Sequence, residues 1–296
     1  MGIALTAYRQ GEKRVNSAPF PFDDDPIRLH MPYRCPLCRL PLHPLSAGWG
    51  CQSGHRFDCA REGYVHLLPP NRKHSKAPGD EKGMVQARRR FLEAGHYQPL
   101  ANHLKQQSAH LAPSRLLDIG CGEGYFTAAL AEASPATESY GVDISKNAVQ
   151  KAAKRYPKIR FCVASNHDLP FEDHAFDLIV RTYAPSSDAE LARLVSPDGQ
   201  LIIVTPGPHH LRELRERIYQ QVNDHDETSS APTGFMLIDS QRIEHHIAPS
   251  GAEALDLLTM TPFGWHASIE LKNALANEAQ VPLSTDFIIQ RYQLQR

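Results

Sequence analysis

Leu116-Leu117-Asp118-Ile119-Gly120-Cys121-Gly122-Glu123-Gly124-Tyr125 is the stretch that decides the fold, together with Val142-Asp143-Ile144 further on. An apolar run enters a triple-glycine turn and leaves it into a helix-compatible segment, so the chain reads strand, turn, helix. The second apolar run then ends in an acid. This order lays a nucleotide-like ligand across the carboxyl ends of a parallel sheet.

The glycine spacing separates the candidate ligands. A dinucleotide fingerprint, G-x-G-x-x-G, has its third glycine three places after the second and aims a helix N-terminus at a pyrophosphate. Here the glycines are Gly120, Gly122 and Gly124, with Tyr125 next. Asp118 and Glu123 bracket the turn; they would repel a pyrophosphate but suit a ligand bearing a sulfonium and an amino group. The reading is therefore S-adenosylmethionine, with Asp143 placed to accept from both ribose hydroxyls.

Of the 296 residues, 41% are hydrophobic, enough for one full α/β core and a small appended module. The formal net charge of -1 excludes a global field for nucleic acid, so any such surface must be local. Residues 71–90 meet that condition, with Arg72, Lys73, Lys76, Lys82, Arg88, Arg89 and Arg90 against Asp80 and Glu81. They read as an RNA-facing surface or as a solvated linker and helix face. No secretory h-region and no bilayer-length apolar run is present, which leads to the expectation of a cytoplasmic protein with reduced cysteines.

Four of the six cysteines sit early in the chain. Cys35 and Cys38 are two residues apart, Cys51 follows after twelve, and His55 after three more. Two short ligand pairs joined by a loop bring four soft donors around one tetrahedral zinc, closed and therefore structural. The prolines and Gly48-Trp49-Gly50 read as knuckles and a turn. Cys59, four residues beyond His55, competes with it as fourth ligand. So small a module would draw most of its folding energy from the metal. Cys121 and Cys162 read as small apolar fillers.

Further along, residues 1–30 read as a disordered extension, rich in proline and carrying Asp23-Asp24-Asp25, and Met31 offers an alternative start. The expected units are a zinc-ribbon-like module over 31–72, a basic linker and packing helix over 73–110, and an α/β domain over 111–296. Within these, a helix is expected over 84–104, and strands at 116, 140–144, 161–164, 177–181 and 200–205, the last behind the turn 196–199. A helix over 211–222 and a closing edge strand over 286–294 complete the pattern, that of a doubly wound parallel sheet. Ser145 is placed to cap the helix that stops before Pro157.

Loops at the carboxyl ends of these strands carry the remaining chemistry. In Ser165-Asn166-His167-Asp168-Leu169-Pro170-Phe171, a polar side chain such as Asn166 can meet the adenine amino group while Leu169 and Phe171 line its ring. Thr182-Tyr183-Ala184-Pro185 faces the methyl group, and Thr205-Pro206-Gly207-Pro208-His209-His210 follows the fifth strand.

The combination of Cys35-Pro36-Leu37-Cys38, Glu62-Gly63-Tyr64-Val65-His66-Leu67-Leu68, Gln86-Ala87-Arg88-Arg89, Ala94-Gly95-His96-Tyr97-Gln98-Pro99-Leu100 and the glycine turn resembles the RlmA family of bacterial large-subunit ribosomal RNA guanine-N1 methyltransferases. Ala152-Ala153-Lys154-Arg155-Tyr156-Pro157, Tyr183-Ala184-Pro185, Thr205-Pro206-Gly207-Pro208 and Met260-Thr261-Pro262-Phe263 extend the likeness. It covers the chain from Met31 onward. The resemblance implies a class I, Rossmann-like S-adenosylmethionine-dependent methyltransferase domain behind a structural zinc on Cys35, Cys38, Cys51 and His55. It implies cofactor contacts at Tyr97, Glu123, Gly124 and His210, and a homodimer whose cleft takes a hairpin of 23S rRNA, with no DNA and no membrane. Guanine N1 lies on the Watson–Crick edge, so the base must be unpaired or flipped, with Tyr183 as a wall of its pocket. His167, Asp168 and His210 are candidates to take the displaced proton, as is water. Two other classes stand against this: a small-molecule methyltransferase with the zinc module as lid, and a non-catalytic RNA-binding relic. The intact glycine turn and Asp143 speak against the second.

Overall fold

The zinc-ligand segment opens with three short strands, β1 (His43–Leu45), β2 (Gly48–Gly50) and β3 (Arg56–Asp58), paired antiparallel as a small sheet. Gly48-Trp49-Gly50 is thus the central strand of that sheet and not a turn. A Cβ on Gly48 would lie 2.2 Å from the Phe57 carbonyl oxygen, so only glycine allows this approach. The structure, a computed structural model, describes residues 31–70, 81–133, 137–225 and 230–295. The expected extension over 1–30 and Arg72, Lys73, Lys76 and Asp80 of the basic stretch lie outside the described residues.

Next come β4 (Val65–His66), α1 (Lys82–Glu93) and α2 (Gln98–Leu111). The single helix expected over 84–104 is two helices, because the chain turns at Gly95, φ +86°, a conformation that L side chains disfavour. The main domain then alternates through β5 (Arg115–Ile119), α3 (Tyr125–Ala133), β6 (Glu138–Asp143), α4 (Lys146–Arg155), β7 (Arg160–Val163), β8 (Phe176–Thr182), α5 (Asp188–Leu194) and β9 (Val195–Pro206). Ser145 caps α4, accepting from the Ala148 amide at 3.4 Å. After α6 (Arg212–Ile218) follow β10 (Phe235–Ile247), α7 (Gly251–Met260), a 3-10 turn at Pro262–Trp265, α8 (Ile269–Ala276) and β11 (Leu283–Leu294). Among the described residues no helix is long and apolar enough to cross a membrane.

The large sheet runs β10-β11-β9-β8-β5-β6-β7-β4. Its strands from β9 to β4 are parallel, while β11 and β10 run antiparallel. Two sequence expectations change here. The strand expected to close the edge at 286–294 starts earlier and lies inside the sheet, and β10 is the edge. The 196–199 segment, expected as a turn, lies inside the span of β9 but is looped out of the pairing with β8, which passes from Val195 to Gln200, and it folds back so far that a Cβ on Gly199 would lie 2.8 Å from Ser196 Oγ; the turn stands, and what changes is that β9 begins before it.

Alternation along β5 sends Leu117 and Ile119 to one face and Leu116 to the other. On the first face they meet Tyr33, Trp49, Val65 and Leu67 from the zinc-ligand segment, together with Tyr140, Phe171 and Phe176. On the second, Leu116, Leu178, Val180 and Ile202 pack under Phe91, Leu100 and Leu104 of α1 and α2 and Leu257 and Leu258 of α7. The ribbon therefore shares one core with the catalytic sheet, and β4 supplies that sheet with its last parallel strand.

Candidate functional site

The two ligand pairs expected from the sequence converge. All four donor atoms of Cys35, Cys38, Cys51 and His55 lie within 4.8 Å of one another. Cys38 Sγ is 3.6 Å from Cys51 Sγ, and His55 Nδ1 is 3.4 Å from Cys51 Sγ and 3.5 Å from Cys35 Sγ. A tetrahedral zinc with ordinary ligand bonds requires about 3.8 Å between sulfurs and about 3.6 Å from sulfur to nitrogen. The residues fit that ion. Cys59 does not belong to the group; its amide donates to Ala47 and its backbone bridges to Val65. Cys121 and Cys162 are buried fillers, as the sequence suggests.

The glycine turn sits between the carboxyl ends of β5 and β6. Gly120 and Cys121 both donate to the Val142 carbonyl, at 2.8 and 3.0 Å, and Gly122 donates to Asp143 Oδ2 at 3.0 Å. Asp143 Oδ1 takes the Ser145 amide at 2.7 Å, so the carboxylate ties turn to helix entry. Gly120, Gly122 and Gly124 have φ of +75°, +54° and +80°. At Gly120 an added Cβ would lie 2.3 Å from Ala184 Cβ; the β8 loop packs directly on the turn.

Above the turn opens a cleft of about 670 Å³, a size suited to a small-molecule ligand. Asp118, Gly120, Gly122, Glu123, Asp143, Asn166, Tyr183, Tyr97 and His210 all line it. Asp118 is buried; Thr127 Oγ1 donates to its Oδ2 at 2.6 Å, while Oδ1 has no partner. Burial pushes the carboxyl up to about 7. Burial also raises Glu123, opposed by Lys151 Nζ 3.4 Å away. Asn166 Oδ1 is buried without a partner. These orphaned acceptors suit an ammonium and an exocyclic amine, the polar ends of S-adenosylmethionine, so the residues present fit that cofactor.

At the other end of the cleft, Tyr97, His210, Tyr183 and Phe287 form an aromatic cluster, with centroids of 5.1 Å for Tyr97–Phe287 and 5.8 Å for Tyr183–His210. Tyr183 has φ +55° and is 44% exposed, so a non-glycine residue is held left-handed with an open face. His210 Nδ1 accepts the Asp286 amide at 3.1 Å, and its Nε2 lies 3.3 Å from the Tyr97 hydroxyl. Burial lowers its pKa to about 3.

Several expected roles need correction. Leu169 and Phe171 are fully buried in the core beneath the ribbon, Phe171 stacking on Tyr33, and do not line the cleft. Asp168 pairs with Arg39 of the zinc knuckle, and His167 is exposed and outside the cleft lining. Both nitrogens of His210 are engaged and its basicity is low, which removes it as a base. Of the basic stretch, Arg89 pairs with Glu93, Arg90 with Asp256, and Arg88 donates to the Met260 carbonyl at 3.4 Å while lining the cleft.

Arg88, Leu92, His225 and Trp265 also line the cleft, at positions that no local motif marks as belonging to it. Gln86-Ala87-Arg88-Arg89 and Met260-Thr261-Pro262-Phe263 stood out only as strings, and they meet across the cleft. A parallel sheet with this glycine turn, acidic strand end and orphaned acceptors defines an S-adenosylmethionine-dependent methyltransferase, here bearing an N-terminal zinc ribbon. The pattern of the RlmA N-terminal zinc ribbon matches residues 33–76, and that of a methyltransferase domain matches residues 112–252. The 23S rRNA (guanine(748)-N(1))-methyltransferase of Streptomyces fradiae is 34% identical over 242 residues, covering 79% of this chain and 85% of that protein. A Micromonospora griseorubida protein provisionally named 23S rRNA (guanine-N(1)-)-methyltransferase is 33% identical over 258 residues, covering 79% and 86%. The chain belongs to the RlmA family of methyltransferases.

Proposed function

We propose that the protein transfers a methyl group from S-adenosylmethionine to N1 of a guanine in a hairpin of 23S rRNA. One observation carries this reading: ribbon and methyltransferase fold occur together in one chain, over most of the length of relatives named for that reaction.

S-adenosylmethionine supplies an electrophilic methyl on a sulfonium, so the protein's task is alignment and water exclusion. Asp118 Oδ1 and Glu123 take the amino-acid end, Asp143 the ribose and Asn166 the adenine amine, over a floor of Gly120 and Gly122; Gly124, expected as a cofactor contact, is outside the cleft lining and faces Phe161, Tyr156 and Ala152 instead. The open face of Tyr183 stacks the flipped guanine. His167 and Asp168 lie outside the cleft and His210 is saturated, so of the acceptors the sequence nominates we assign the N1 proton to water. Zinc holds the ribbon and takes no part in transfer. The ribbon and the basic stretch from Arg72 to Arg90 hold the RNA, a second copy completes the hairpin-binding cleft, and the protein acts in the cytoplasm, where ribosomal RNA is made.

The test is nucleoside mass spectrometry of large-subunit RNA from cells lacking the gene, incubated with purified protein and S-adenosylmethionine. New 1-methylguanosine, lost in Asp118→Ala and Asp143→Ala, is the expected result. Cofactor binding without methylation of free RNA or subunit precursors would replace the reading with a small-molecule acceptor.

A further inference from the structure

Where β9 ends at Pro206, the antiparallel pairing with β11 does not simply stop. The Gly207 amide still donates to the Asp286 carbonyl at 2.8 Å. The carbonyl of Gly207, which a continued ladder would offer back, instead accepts the His210 amide at 3.0 Å and closes a tight turn. The His210 ring takes the vacated position: its Nδ1 accepts the Asp286 amide at 3.1 Å. A neutral imidazole that accepts at Nδ1 carries its hydrogen on Nε2. Nε2–H therefore donates to the Tyr97 oxygen, 3.3 Å away. The hydroxyl hydrogen of Tyr97 is left to point at an acceptor in the cleft that Tyr97 lines.

The turn is gripped from behind. The fully buried Asp286 carboxylate takes the His209 amide at 2.9 Å and two bonds from Arg242, Nε to Oδ1 and Nη2 to Oδ2, both 2.8 Å. Gly207 lies so close that an added Cβ would sit 2.2 Å from Asp286 Oδ1. His209, Glu244 and Asp286 also bring three potential metal donors together, but the Arg242 guanidinium stands among them as the cation.

We propose that the Arg242–Asp286 pair, on β10 and β11 and outside the cleft, is a positioning clamp that fixes His210 as its Nε2–H tautomer and so makes the Tyr97 hydroxyl a donor to an oxygen of the bound ligand. It rests on the reading of the cleft as a site for S-adenosylmethionine and its target base. The oxygen is the cofactor's carboxylate or the base's carbonyl, which are chemically equivalent acceptors for a phenol.

Two-bond nitrogen–proton correlation spectra of histidine-labelled full-length protein, with His210 assigned by His210→Gln, read the tautomer without any turnover. The wild type should show a single Nε2–H form. Arg242→Ala and Asp286→Asn should show tautomers in exchange; they should also bind S-adenosylhomocysteine about tenfold more weakly, the effect of one lost hydrogen bond, if the acceptor is the carboxylate, or keep that affinity and lose about tenfold in kcat if it is the base; Arg242→Lys should restore part of each. Tyr97→Phe separates the acceptors: weaker S-adenosylhomocysteine binding with unchanged methylthioadenosine binding points to the carboxylate, and a lower kcat with unchanged cofactor affinity to the base. A protonated Nδ1 in the wild type overturns the clamp even if no variant folds, as does a folded Arg242→Ala with a single tautomer and unchanged affinity. A wild type that binds no S-adenosylhomocysteine overturns the cofactor reading instead, whatever its tautomer.

Discussion

Tyr33, two residues ahead of the first zinc cysteine, stacks on Phe171 of the catalytic domain with ring centroids 5.4 Å apart and planes inclined by 27°. Trp49 and Tyr140 meet Tyr33 edge-on at 5.4 and 6.1 Å. The aromatic layer is continuous from the ribbon into the sheet, so loss of the metal should be felt in both. Chelation, or Cys38→Ser, is expected to lower one common melting transition by roughly 10 °C or more, since each kcal/mol shifts a chain of this size by about 2–4 °C. Calorimetry showing an unchanged main transition would separate the two modules.

Asp118 makes cofactor affinity depend on pH. Its folded pKa of about 7 lies above the ordinary 3.8, so its contribution to stability is complete at low pH and is lost as pH rises through 7. Binding runs the other way, because an ammonium prefers the ionised carboxylate. Affinity for S-adenosylhomocysteine should tighten between pH 5.5 and 7.5, approaching tenfold per unit below the carboxyl's pKa. Asp118→Asn should bind weakly at every pH and melt higher than wild type at pH 8. Paired titration calorimetry and melting curves measure both.

Gly120→Ala combines a left-handed backbone with a Cβ 2.3 Å from Ala184, and cofactor affinity should fall on the order of a hundredfold. Gly54 has a similar φ, +83°, but nothing within 4 Å of an added Cβ. Gly54→Ala should cost only about 1 kcal/mol of backbone strain. Comparing the two by calorimetry and denaturation separates clash from strain.

Asp168→Asn breaks the pair with Arg39, whose side chain is 40% exposed, and should cost less than about 1 kcal/mol. Single-turnover methylation should stay within about threefold of wild type. A loss of several orders of magnitude would return Asp168 to the list of bases.

The chain has two tryptophans, Trp49 at 2% exposure and Trp265 at 71% on the cleft rim. A base stacked at the rim should quench Trp265 and leave Trp49 unaffected. Titration with an rRNA hairpin should therefore lose its signal in Trp265→Phe. Equal quenching in that variant would place the RNA elsewhere.

What could be read from the sequence was local. Gly120, Gly122 and Gly124 with Asp118 and Asp143 carry their chemistry in their spacing, as do Cys35, Cys38, Cys51 and His55. Residues whose role is set by distant partners were misread: Leu169 and Phe171 belong to the core because Tyr33 packs there, and Asp168 answers to Arg39. Strand β10 escaped because an edge strand exposed along most of its length shows no apolar alternation, and without it the place of β11 inside the sheet could not be seen. The His210–Tyr97 bond joins side chains 113 residues apart, beyond the reach of any local pattern.

Strand β4 has a consequence for the order of events at the ribosome. Val65 and His66 leave the exit tunnel early, yet their partners Cys162 and Val163 follow roughly a hundred residues later. The ribbon can gather its metal while the rest is still being made, but it must then wait with a strand unmatched and Tyr33 uncovered. Completion of β7 is thus the moment at which the ribbon can be paired to the large sheet, and any pause in synthesis before that point leaves a sticky nascent chain.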